Sequence, residues 1–556
     1  MGYRFKAGGI PETPGCGSLK PACAAATVVV NGNCGADSGK IGPGVRVSNI
    51  SESMLYRRAP GVNNASDKPH PCGGPMASIY APPPQHDDLP ADDRGLLDAV
   101  VHGRARLTPQ QALSILETMP LAELGRWADA RCRQVHGDTY RTYVIDRNIN
   151  YTNVCSAKCI FCAFRRDAED HDSYTLEYED IYEKIAELSD IGGTQILMQG
   201  GMNPALPLDW YLGLLNGIKE RFPHIHIHAF SPPEFIEFVH FFNPPGSTLE
   251  DKIRWVMVRL REAGLDSLPG GGGEIFAPAV RRKIGLGKCD AEAWLTCMYV
   301  AHTLGMFTSA TMMFGHIEGL ADRVHHMRLV REWQDRALLE GGARDPMDAG
   351  PGEPIATPSF GHYKAFISWP FQRENTALGR LREWGQGEDD AGEFPGDIVA
   401  HLDGSGTKDT HPEFGRRLRL AGATQYLRTQ ALSRLMLDNI YSIGSSWVTM
   451  GPHVGQVGLK FGANDMGSVM MEENVVSSAG TTYCLNEPVL CRLIRDAGYV
   501  PSQRDNTYDV IRTHDGPDSP DLQVTDWSEH RARKLHTQAP AEASSATLTV
   551  SAGSTD

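Results

Sequence analysis

Hydrophobic residues in the middle of the chain form short continuous runs that alternate with stretches of helical period. A first strand is predicted over 148–154, and the continuous apolar run within 194–201 predicts a strand buried on both faces. Between them, Ile181, Ile185 and Leu188 recur on one face of a predicted helix. This alternation is typical of a parallel α/β fold, in which each helix returns the chain to the same end of the sheet.

The same alternation continues beyond this first pair of strands. Further strands are predicted over 224–230, 265–268, 308–314, 365–370, 441–448 and 458–462, with a helix over 425–439 before the last two. Eight strands make a closed (β/α)8 TIM-type barrel the most economical architecture. A barrel that lacks its last two strands is the close competitor.

Glycine, proline and small polar residues dominate both ends of the chain. The first helix with a clear start begins at Thr108, where Pro109 and Gln111 complete a capping box. Segments of such composition bury too little apolar surface to fold, so both ends are predicted to be disordered. The predicted organisation is a disordered extension over 1–88, a barrel domain over 89–515 with loop insertions near 339–362 and 385–412, and a disordered tail over 516–556.

Composition narrows the class of function. The 556 residues carry a formal net charge of −15 without a basic stripe, which argues against nucleic-acid binding because phosphate neutralisation needs clustered Lys and Arg. No apolar run is long enough to span a membrane, and the first residues lack the apolar core of a signal peptide. Twelve cysteines in so long a chain do not suggest a disulfide framework. We therefore expect a reducing compartment, by default the cytoplasm.

Three cysteines lie close together just after the first predicted strand. Cys155, Cys159 and Cys162 have the spacing C-x3-C-x2-C, and thiolates are soft ligands suited to iron–sulfur clusters or zinc. A [4Fe–4S] cluster normally takes four protein thiolates, but the next cysteine is Cys289. Three ligands would leave one iron open for a substrate or cofactor. The alternative is a structural zinc site completed by a histidine.

This cysteine spacing, with Phe161 just before the third cysteine, resembles the radical S-adenosylmethionine (SAM) enzymes. The resemblance implies that the open iron binds the amino and carboxylate groups of SAM, and that reduction of the cluster yields a 5′-deoxyadenosyl radical. It also implies a set of SAM-binding residues: Phe161, Phe164, Gln199, Gly200, Gly201, Glu274 and Arg282. More simply, the two glycines could serve a tight turn and Arg282 a solvated helix start.

Polar groups at the predicted strand ends are the candidate substrate and catalytic residues, because barrel enzymes keep their reactive groups there. Ser231 and Glu234 follow strand three. His224, His226 and His228 share one face of that strand, which gives the rival interpretation of a metal-dependent hydrolase. We favour histidines that lie low on the strand, hydrogen-bonded or solvated at the barrel floor.

The later strand ends supply the remaining candidates. His316, a group that titrates near neutrality, is the candidate general base, although it could simply hydrogen-bond its loop. Trp369 could stack on a planar substrate or pack the barrel mouth, and Gln372 follows it. Asn464 and Asp465 come after the last predicted strand, and amides and carboxylates there would suit a hydroxyl-rich sugar.

Longer motifs narrow the resemblance to one group of radical SAM enzymes, which contains the futalosine-pathway enzymes of menaquinone biosynthesis and the deazaflavin (FO) synthase subunits. The motifs that carry it are 148–155, 159–164, 228–234, 269–275 and 310–316. Within the group, 366–372, 446–449, 461–468 and 471–476 are most similar to the branch that cyclises dehypoxanthine futalosine. The resemblance spans roughly residues 100–510, less the insertions.

The resemblance implies a cyclisation. The deoxyadenosyl radical would take a hydrogen from the ribose C4′ of this nucleoside-derived small molecule, and the sugar radical would add to its benzoate ring. Loss of a proton and an electron would restore the aromatic ring in a spiro-cyclic product. A reductant such as flavodoxin or ferredoxin would be the protein partner. The alternatives are an aminofutalosine synthase, an FO synthase subunit, or a non-catalytic scaffold that binds zinc or an iron–sulfur cluster.

Overall fold

A computed structural model describes residues 93–342, 359–386, 390, 392–406, 411–481, 483–528 and 530. The predicted extension over 1–88 and the last part of the predicted tail lie outside the described residues, as do parts of both predicted insertions. Within the described part of the chain, no helix combines the length and the apolar character that crossing a membrane requires.

The strands in chain order are β1 Tyr140–Val144, β2 Asp146–Ile149, β3 Lys158–Cys159, β4 Gln195–Met198, β5 His226–Ala229, β6 Gly285–Leu286, β7 Thr308–Phe314, β8 Tyr363–Pro370, β9 Arg382–Glu383, β10 Arg417–Leu418, β11 Ser442–Gly444, β12 Asp465–Ser468, β13 Val500–Arg504 and β14 Val510–Thr513.

The helices in chain order are α1 Asp93–Val101, α2 Pro109–Thr118, α3 Leu121–His136, α4 Tyr178–Asp190, α5 Leu208–Arg221, α6 Pro232–Phe242, α7 Leu249–Glu262, α8 Pro278–Ile284, α9 Ala291–Thr303, α10 Leu320–Glu340, α11 Pro395–Val399, α12 Ala423–Met436, α13 Trp447–Met450, α14 Pro452–Gly458, α15 Val475–Ser478 and α16 Glu487–Asp496.

Parallel pairings connect eight segments into a ring. One series runs β2–β4–β5, and another runs β7–β8–β11–β12–β1. Two residues join the series, because Ser267 bridges to His228 of β5 and Leu268 bridges to Thr308 of β7. Since Ile145 alone separates β1 from β2, these pairings close on themselves. The α/β barrel predicted from the sequence is confirmed, with its fourth strand reduced to two bridging residues.

The last predicted strand was wrong. Gly458 ends α14, and the chain over 459–462 then turns toward β12, which is the eighth member of the ring. Their apolar side chains pack outward against helices: Leu459 is fully buried, and the Phe461 ring lies against Gly125 of α3. Gly462 has a positive φ of 91°, which favours a turn over a strand. An apolar run in a sequence does not by itself distinguish a barrel strand from a turn that packs against helices.

The predicted start of the first strand was wrong because the strand contains buried polar residues. It begins at β1 rather than at 148, and its second half contains Asp146 and Arg147 in buried positions. Asp146 accepts hydrogen bonds from Gln195 and Ser468, while Arg147 pairs with Glu472 at 2.7 Å. Asp146 lines the barrel interior and Arg147 contacts helix α4, and these buried polar groups interrupt the apolar pattern by which a strand is found in a sequence.

Local signals for helices were reliable. The capping box at Thr108 is present, with Gln111 and Thr108 each accepting a hydrogen bond from the other's backbone. Ile181, Ile185 and Leu188 are all buried on α4, as predicted. The helices cover the outside of the ring, so their apolar faces and the outward side chains of the strands form the hydrophobic core.

A C-terminal segment closes the floor of the barrel. β13 pairs in parallel with β1, and the chain then crosses the N-terminal ends of the ring strands. Arg504 pairs with Asp465 at the start of β12, and Asn506 donates a hydrogen bond of 2.8 Å to Ser267. Both contacted residues lie at the beginning of their strands. The barrel is therefore blocked at the end opposite to the cysteine loop, which contains Cys155, Cys159 and Cys162.

The start of the predicted tail is folded rather than disordered. Ser519 and Asp521 are buried, and Asp521 pairs with Arg495 of α16 at 2.6 Å. A predicted insertion likewise contains α11, whose Asp397 accepts a hydrogen bond from the first residue of α10, Leu320. Buried ion pairs and helix caps fix these segments, and neither produces an apolar period in the sequence.

Candidate active site

A cavity of about 480 Å3 extends through the barrel from the cysteine loop to residues 504–508, which close its floor and are called the floor segment. The predicted site residues that line it are Cys155, Cys159, Phe161, Cys162, Phe164, Gln199, Gly200, Gly201, Ser231, Glu234, Glu274, Trp369 and Asp465. At its other end it is lined by residues of the closing segment, including Arg504, Asn506 and Tyr508. The cavity is thus open toward the strand C-termini and closed below.

The cysteine loop is held by backbone pairing on both sides. β3, which contains Cys159, pairs antiparallel with β6, and the Cys155 N–H donates to the Arg166 carbonyl at 3.1 Å. Arg166 in turn donates to the carbonyls of three residues before it in the loop and pairs with Asp172. All three cysteines are free and partly exposed toward the cavity. The loop is therefore preorganised to present three thiols.

Two of these thiols have pKa values that burial raises. Burial raises the pKa of Cys155, and raises that of Cys159 to about 12 against the opposing charge of Lys288. Without a bound metal, the Cys155 and Cys159 thiols are thus protonated, and ligation would release their protons. Within the described ranges, no three His, Cys, Asp or Glu side chains converge as they would around a single ion. In a [4Fe–4S] cluster each thiolate binds a different iron, so such convergence is not needed.

Two glycines at the end of β4 allow the chain to pack against the cysteine loop. A Cβ on Gly201 would lie 2.1 Å from the Val154 carbonyl oxygen and 3.1 Å from the Cβ of Cys155. A Cβ on Gly200 would lie 2.5 Å from the Tyr151 ring. Any side chain here would displace the segment that leads from β2 to the first cysteine. The glycine pair therefore has a steric reason as well as a place in the cavity wall.

Glu234 ties the ends of three strands together. Its Oε1 accepts from the Tyr151 hydroxyl at 2.7 Å and from the Gly200 N–H at 3.1 Å. Its Oε2 accepts from the N–H and the hydroxyl of Ser231, both at 2.7 Å. Burial raises the pKa of Glu234, although all these donors favour the carboxylate. Glu234 is a positioning residue, because its oxygens are already occupied by the protein.

The glycine loop after Leu268 carries a buried ion pair toward the cysteines. Glu274, with an unusual φ of 40°, accepts from Lys288 at 2.6 Å. The Lys288 ammonium also lies 5.0 Å from the centre of the Phe161 ring. Although burial by itself would raise the pKa of Glu274, the Lys288 charge keeps it below its usual value. A strained backbone beside a paired charge is typical of a ligand site.

Arg282 does not reach this site. It is exposed on α8 and is not among the side chains that line the cavity. Its neighbour Arg281 is buried and donates to the carbonyls of Gly272 and Gly273 at 3.0 and 2.8 Å. The helix turns one arginine inward to hold the glycine loop and the other toward solvent. Lys288, which no sequence motif indicated, is the cavity-lining cation that pairs with Glu274.

His316 is also placed away from the cavity. Its Nδ1 accepts from the Ile317 N–H at 2.8 Å, and its Nε2 lies 3.2 Å from the Met313 carbonyl oxygen. Burial lowers the pKa of His316 despite the nearby Glu318. A neutral, fully buried imidazole with both nitrogens engaged organises the turn after β7. The structure therefore corrects its interpretation as a base that contacts substrate.

Two further predicted residues lie outside the cavity lining. Gln372 donates to the Pro370 carbonyl at 3.0 Å, so it stabilises the end of its own strand. Asn464 accepts from Arg434 at 2.7 Å and from the Ile443 N–H at 2.8 Å, outside the barrel interior. Its neighbour Asp465 does face inward, because successive strand residues point to opposite sides.

The two histidines of β5, which is the third strand of the sequence prediction, form hydrogen bonds near the barrel floor. His226 and His228 both contact the Ser267 hydroxyl, at 2.7 and 2.6 Å, and burial lowers the pKa of His228 to about 3. His224 is exposed, two residues before β5 begins. This is the arrangement expected for histidines that lie low on the strand. His228 and Lys364 also line the cavity floor.

Comparison with known proteins assigns the chain to a class. The family model of the radical SAM superfamily matches residues 149–330, and the model of the CofH/MqnC C-terminal region matches residues 412–516. The first match contains the cysteine loop and the second contains β11 to β13. This chain belongs to the radical SAM superfamily and is a radical SAM enzyme.

Individual relatives are similar over most of their length. The cyclic dehypoxanthine futalosine synthase of Halalkalibacterium halodurans is 38% identical over 75% of this chain and 95% of its own. The enzyme of the same name from Streptomyces coelicolor is 36% identical over 77% and 91%. The aminodeoxyfutalosine synthase of Thermus thermophilus is 32% identical over 76% and 96%.

Proposed function

We propose that this protein converts dehypoxanthine futalosine to its cyclic form in menaquinone biosynthesis. The observation that carries the proposal is a blind cavity with three free cysteines at its open end and polar side chains down to its floor. The two cyclic dehypoxanthine futalosine synthases, at 38% and 36% identity, support this substrate over those of other radical SAM enzymes.

We infer that Cys155, Cys159 and Cys162 hold a [4Fe–4S] cluster and that SAM completes its fourth iron. When bound, this pair would supply the 5′-deoxyadenosyl radical that abstracts a hydrogen atom from the ribose. The residues around the cysteines that would hold SAM are Phe161, Phe164, Gln199, Gly200, Gly201, Glu274 and Lys288. Lys288 replaces Arg282 in this set because it faces the cavity.

The side chains of this protein would position the cysteine loop and shield the radical from water. Glu234 fixes the strand ends, so the glycine backbone and the cysteine loop keep one geometry. The floor segment closes the cavity from below, which limits water around a reactive radical. Ser231 and Trp369 line the same cavity and are our candidates for contact with the substrate.

The reaction needs an electron donor and a reducing environment. We propose a small redox protein such as flavodoxin or ferredoxin as the donor, and the cytoplasm as the compartment. We propose that a carboxylate of the cavity accepts the proton that the reaction releases. Among these carboxylates, Glu473 is buried, and burial raises its pKa.

An anaerobic turnover assay tests the proposal. Reconstituted protein with SAM, dithionite and dehypoxanthine futalosine should form about one 5′-deoxyadenosine per cyclic product. Parallel reactions should contain the substrates of an aminodeoxyfutalosine synthase and of an FO synthase subunit, because the first of these enzymes is also 32% identical. A cyclic product from dehypoxanthine futalosine alone supports the proposal. Turnover of another substrate instead, or no SAM cleavage with bound zinc, overturns it.

A further inference from the structure

Lysine and arginine side chains that line the cavity differ in whether they have a partner. Within the described ranges these cations are Arg165, Lys288, Lys364 and Arg504. Arg165 pairs with Asp167, Lys288 with Glu274, and Arg504 with Asp465 through two hydrogen bonds of 2.6 and 3.0 Å. No hydrogen bond or ion pair joins Lys364 to any residue that the structure describes. Lys364 is therefore the uncompensated cation of the cavity.

Lys364 is half-buried, and the exposed part of its side chain lines the cavity. Burial lowers its pKa, and Asp509 and Asp505 only partly oppose this. The Oδ1 of Asp505 already accepts from the N–H groups of Thr507 and Asp509, so it is engaged in its own turn. A buried ammonium without a counter-ion is unfavourable unless a ligand supplies one. Within the described residues, no carboxylate forms an ion pair with the Lys364 ammonium, so an anionic ligand would supply the missing partner.

An aromatic ring lies beside this charge. The Lys364 ammonium is 4.3 Å from the centre of the Phe307 ring, which also lines the cavity. Lys364 follows the first residue of β8, where the pairing with β7 has a bulge that reorients the side chain. Its position is therefore at the floor of the barrel. An ammonium and an aromatic face together suit a benzoate group.

We propose that Lys364 binds the carboxylate of the substrate's benzoate group at the floor of the cavity. The inference rests on the proposed function, whose substrate carries a benzoate and an uncharged ribose. Trp369 lies five residues further along β8 at the open end, so the two side chains are separated by about 17 Å of strand. A carboxylate held at the floor therefore directs the ribose toward the cysteine loop, where hydrogen abstraction must occur.

The carboxylates of the cavity do not compete for this role. Asp146 is bonded to Gln195 and Ser468, and Asp465 is bonded to Arg504. Glu473 accepts from the N–H groups at the start of α15. Each acidic group is thus satisfied within the protein. The charge of Lys364 is left for a ligand.

The test measures equilibrium binding to the reconstituted holoenzyme with SAM but without reductant, so no turnover occurs. The probes are dehypoxanthine futalosine and its benzamide analogue, in which a neutral amide replaces the carboxylate. Wild-type protein should bind the amide about ten- to a hundredfold more weakly, the range of a charge-assisted hydrogen bond. Lys364→Gln should bind the acid more weakly by a similar factor and lose the preference for acid over amide. Lys364→Arg should keep most of it.

Controls separate this contact from a structural effect. Lys252→Gln on the outer helix α7 makes the same change of charge and should leave both affinities unchanged. Iron content and SAM cleavage without substrate should be unaffected in Lys364→Gln. If that variant does not fold, the acid-to-amide ratio of the wild type and of Lys364→Arg decides.

The outcomes distinguish the two proposals. Cyclic product from the wild type, with an acid-to-amide ratio near one or unchanged by Lys364→Gln, overturns the role of Lys364 alone. No cyclic product despite SAM cleavage overturns the proposed function, and with it the assignment of the benzoate. Loss of the ratio in Lys364→Gln, with product formed by the wild type, supports both.

Discussion

Glu234 lies where the Tyr151 hydroxyl, the Gly200 N–H and both donors of Ser231 meet. Two of these donors are backbone groups that cannot rotate away. A buried donor that loses its acceptor costs more than the net gain from an ordinary hydrogen bond. The cost of altering Glu234 should therefore appear in the stability of the fold as well as in activity.

Glu234→Gln should lower the free energy of unfolding by about 1–3 kcal/mol, because its amide nitrogen would face N–H or O–H donors. Denaturant unfolding of the metal-free protein measures this without involving the cluster. Glu237→Gln, three residues later on α6 and largely outside this network, is the matched control. Equal stability of the two variants would contradict the positioning role.

Site residues could be predicted from the sequence where a short motif around them indicates their position. The cysteines, the glycine pair and Glu234 lie in short motifs at strand ends, so they could be recognised in the sequence. Lys288 and Lys364 face the cavity through a helix-end turn and a strand bulge, and neither has a sequence signature. His316 was misread because a histidine after a strand can face either the cavity or its own loop.

At the scale of elements, β4 and the cysteine loop are in backbone contact. The Gly201 N–H donates to the Thr152 carbonyl at 2.8 Å, and the Ser156 N–H donates to the Met202 carbonyl at 2.9 Å. These two backbone hydrogen bonds tie the strand end to the loop. A change in β4 should be transmitted to the cysteines.

Gly201→Ala should reduce the iron content after reconstitution by several fold, because its Cβ would lie 2.1 Å from the Val154 carbonyl oxygen. Iron and sulfide analysis of the purified variant measures this. Gly422→Ala is the control, since a Cβ at Gly422 would meet nothing within 4 Å. Full iron content in Gly201→Ala would show that the contact does not constrain the loop.

Most ring strands and helix faces could be predicted because their period is set by burial on a known side. The eighth strand could not, since β12 is the polar sequence Asp-Met-Gly-Ser, whereas the apolar run before it packs against α3. The floor segment was missed for the same reason. Arg504 and Asn506 acquire their role only through partners far away in the sequence.

At the scale of the whole barrel, one end carries the three cysteines and the other end is closed by the C-terminal segment. The parallel ring brings the cysteine loop, the glycine strand end and the Glu274–Lys288 pair to the same rim. The remaining cavity wall is mostly apolar with a few polar groups, and among the residues that the structure describes it carries one lysine without an ionic partner. A small anionic substrate would thus have a defined direction relative to the rim.

The central claim is that three cysteines hold a cluster whose open iron binds SAM. Electron paramagnetic resonance of the reconstituted, dithionite-reduced protein, recorded with and without SAM, tests it most directly. We expect about four irons per chain and a [4Fe–4S]+ signal whose g values change when SAM is added. A signal that SAM leaves unchanged, or a protein that binds about one zinc and gives no such signal, would contradict the claim.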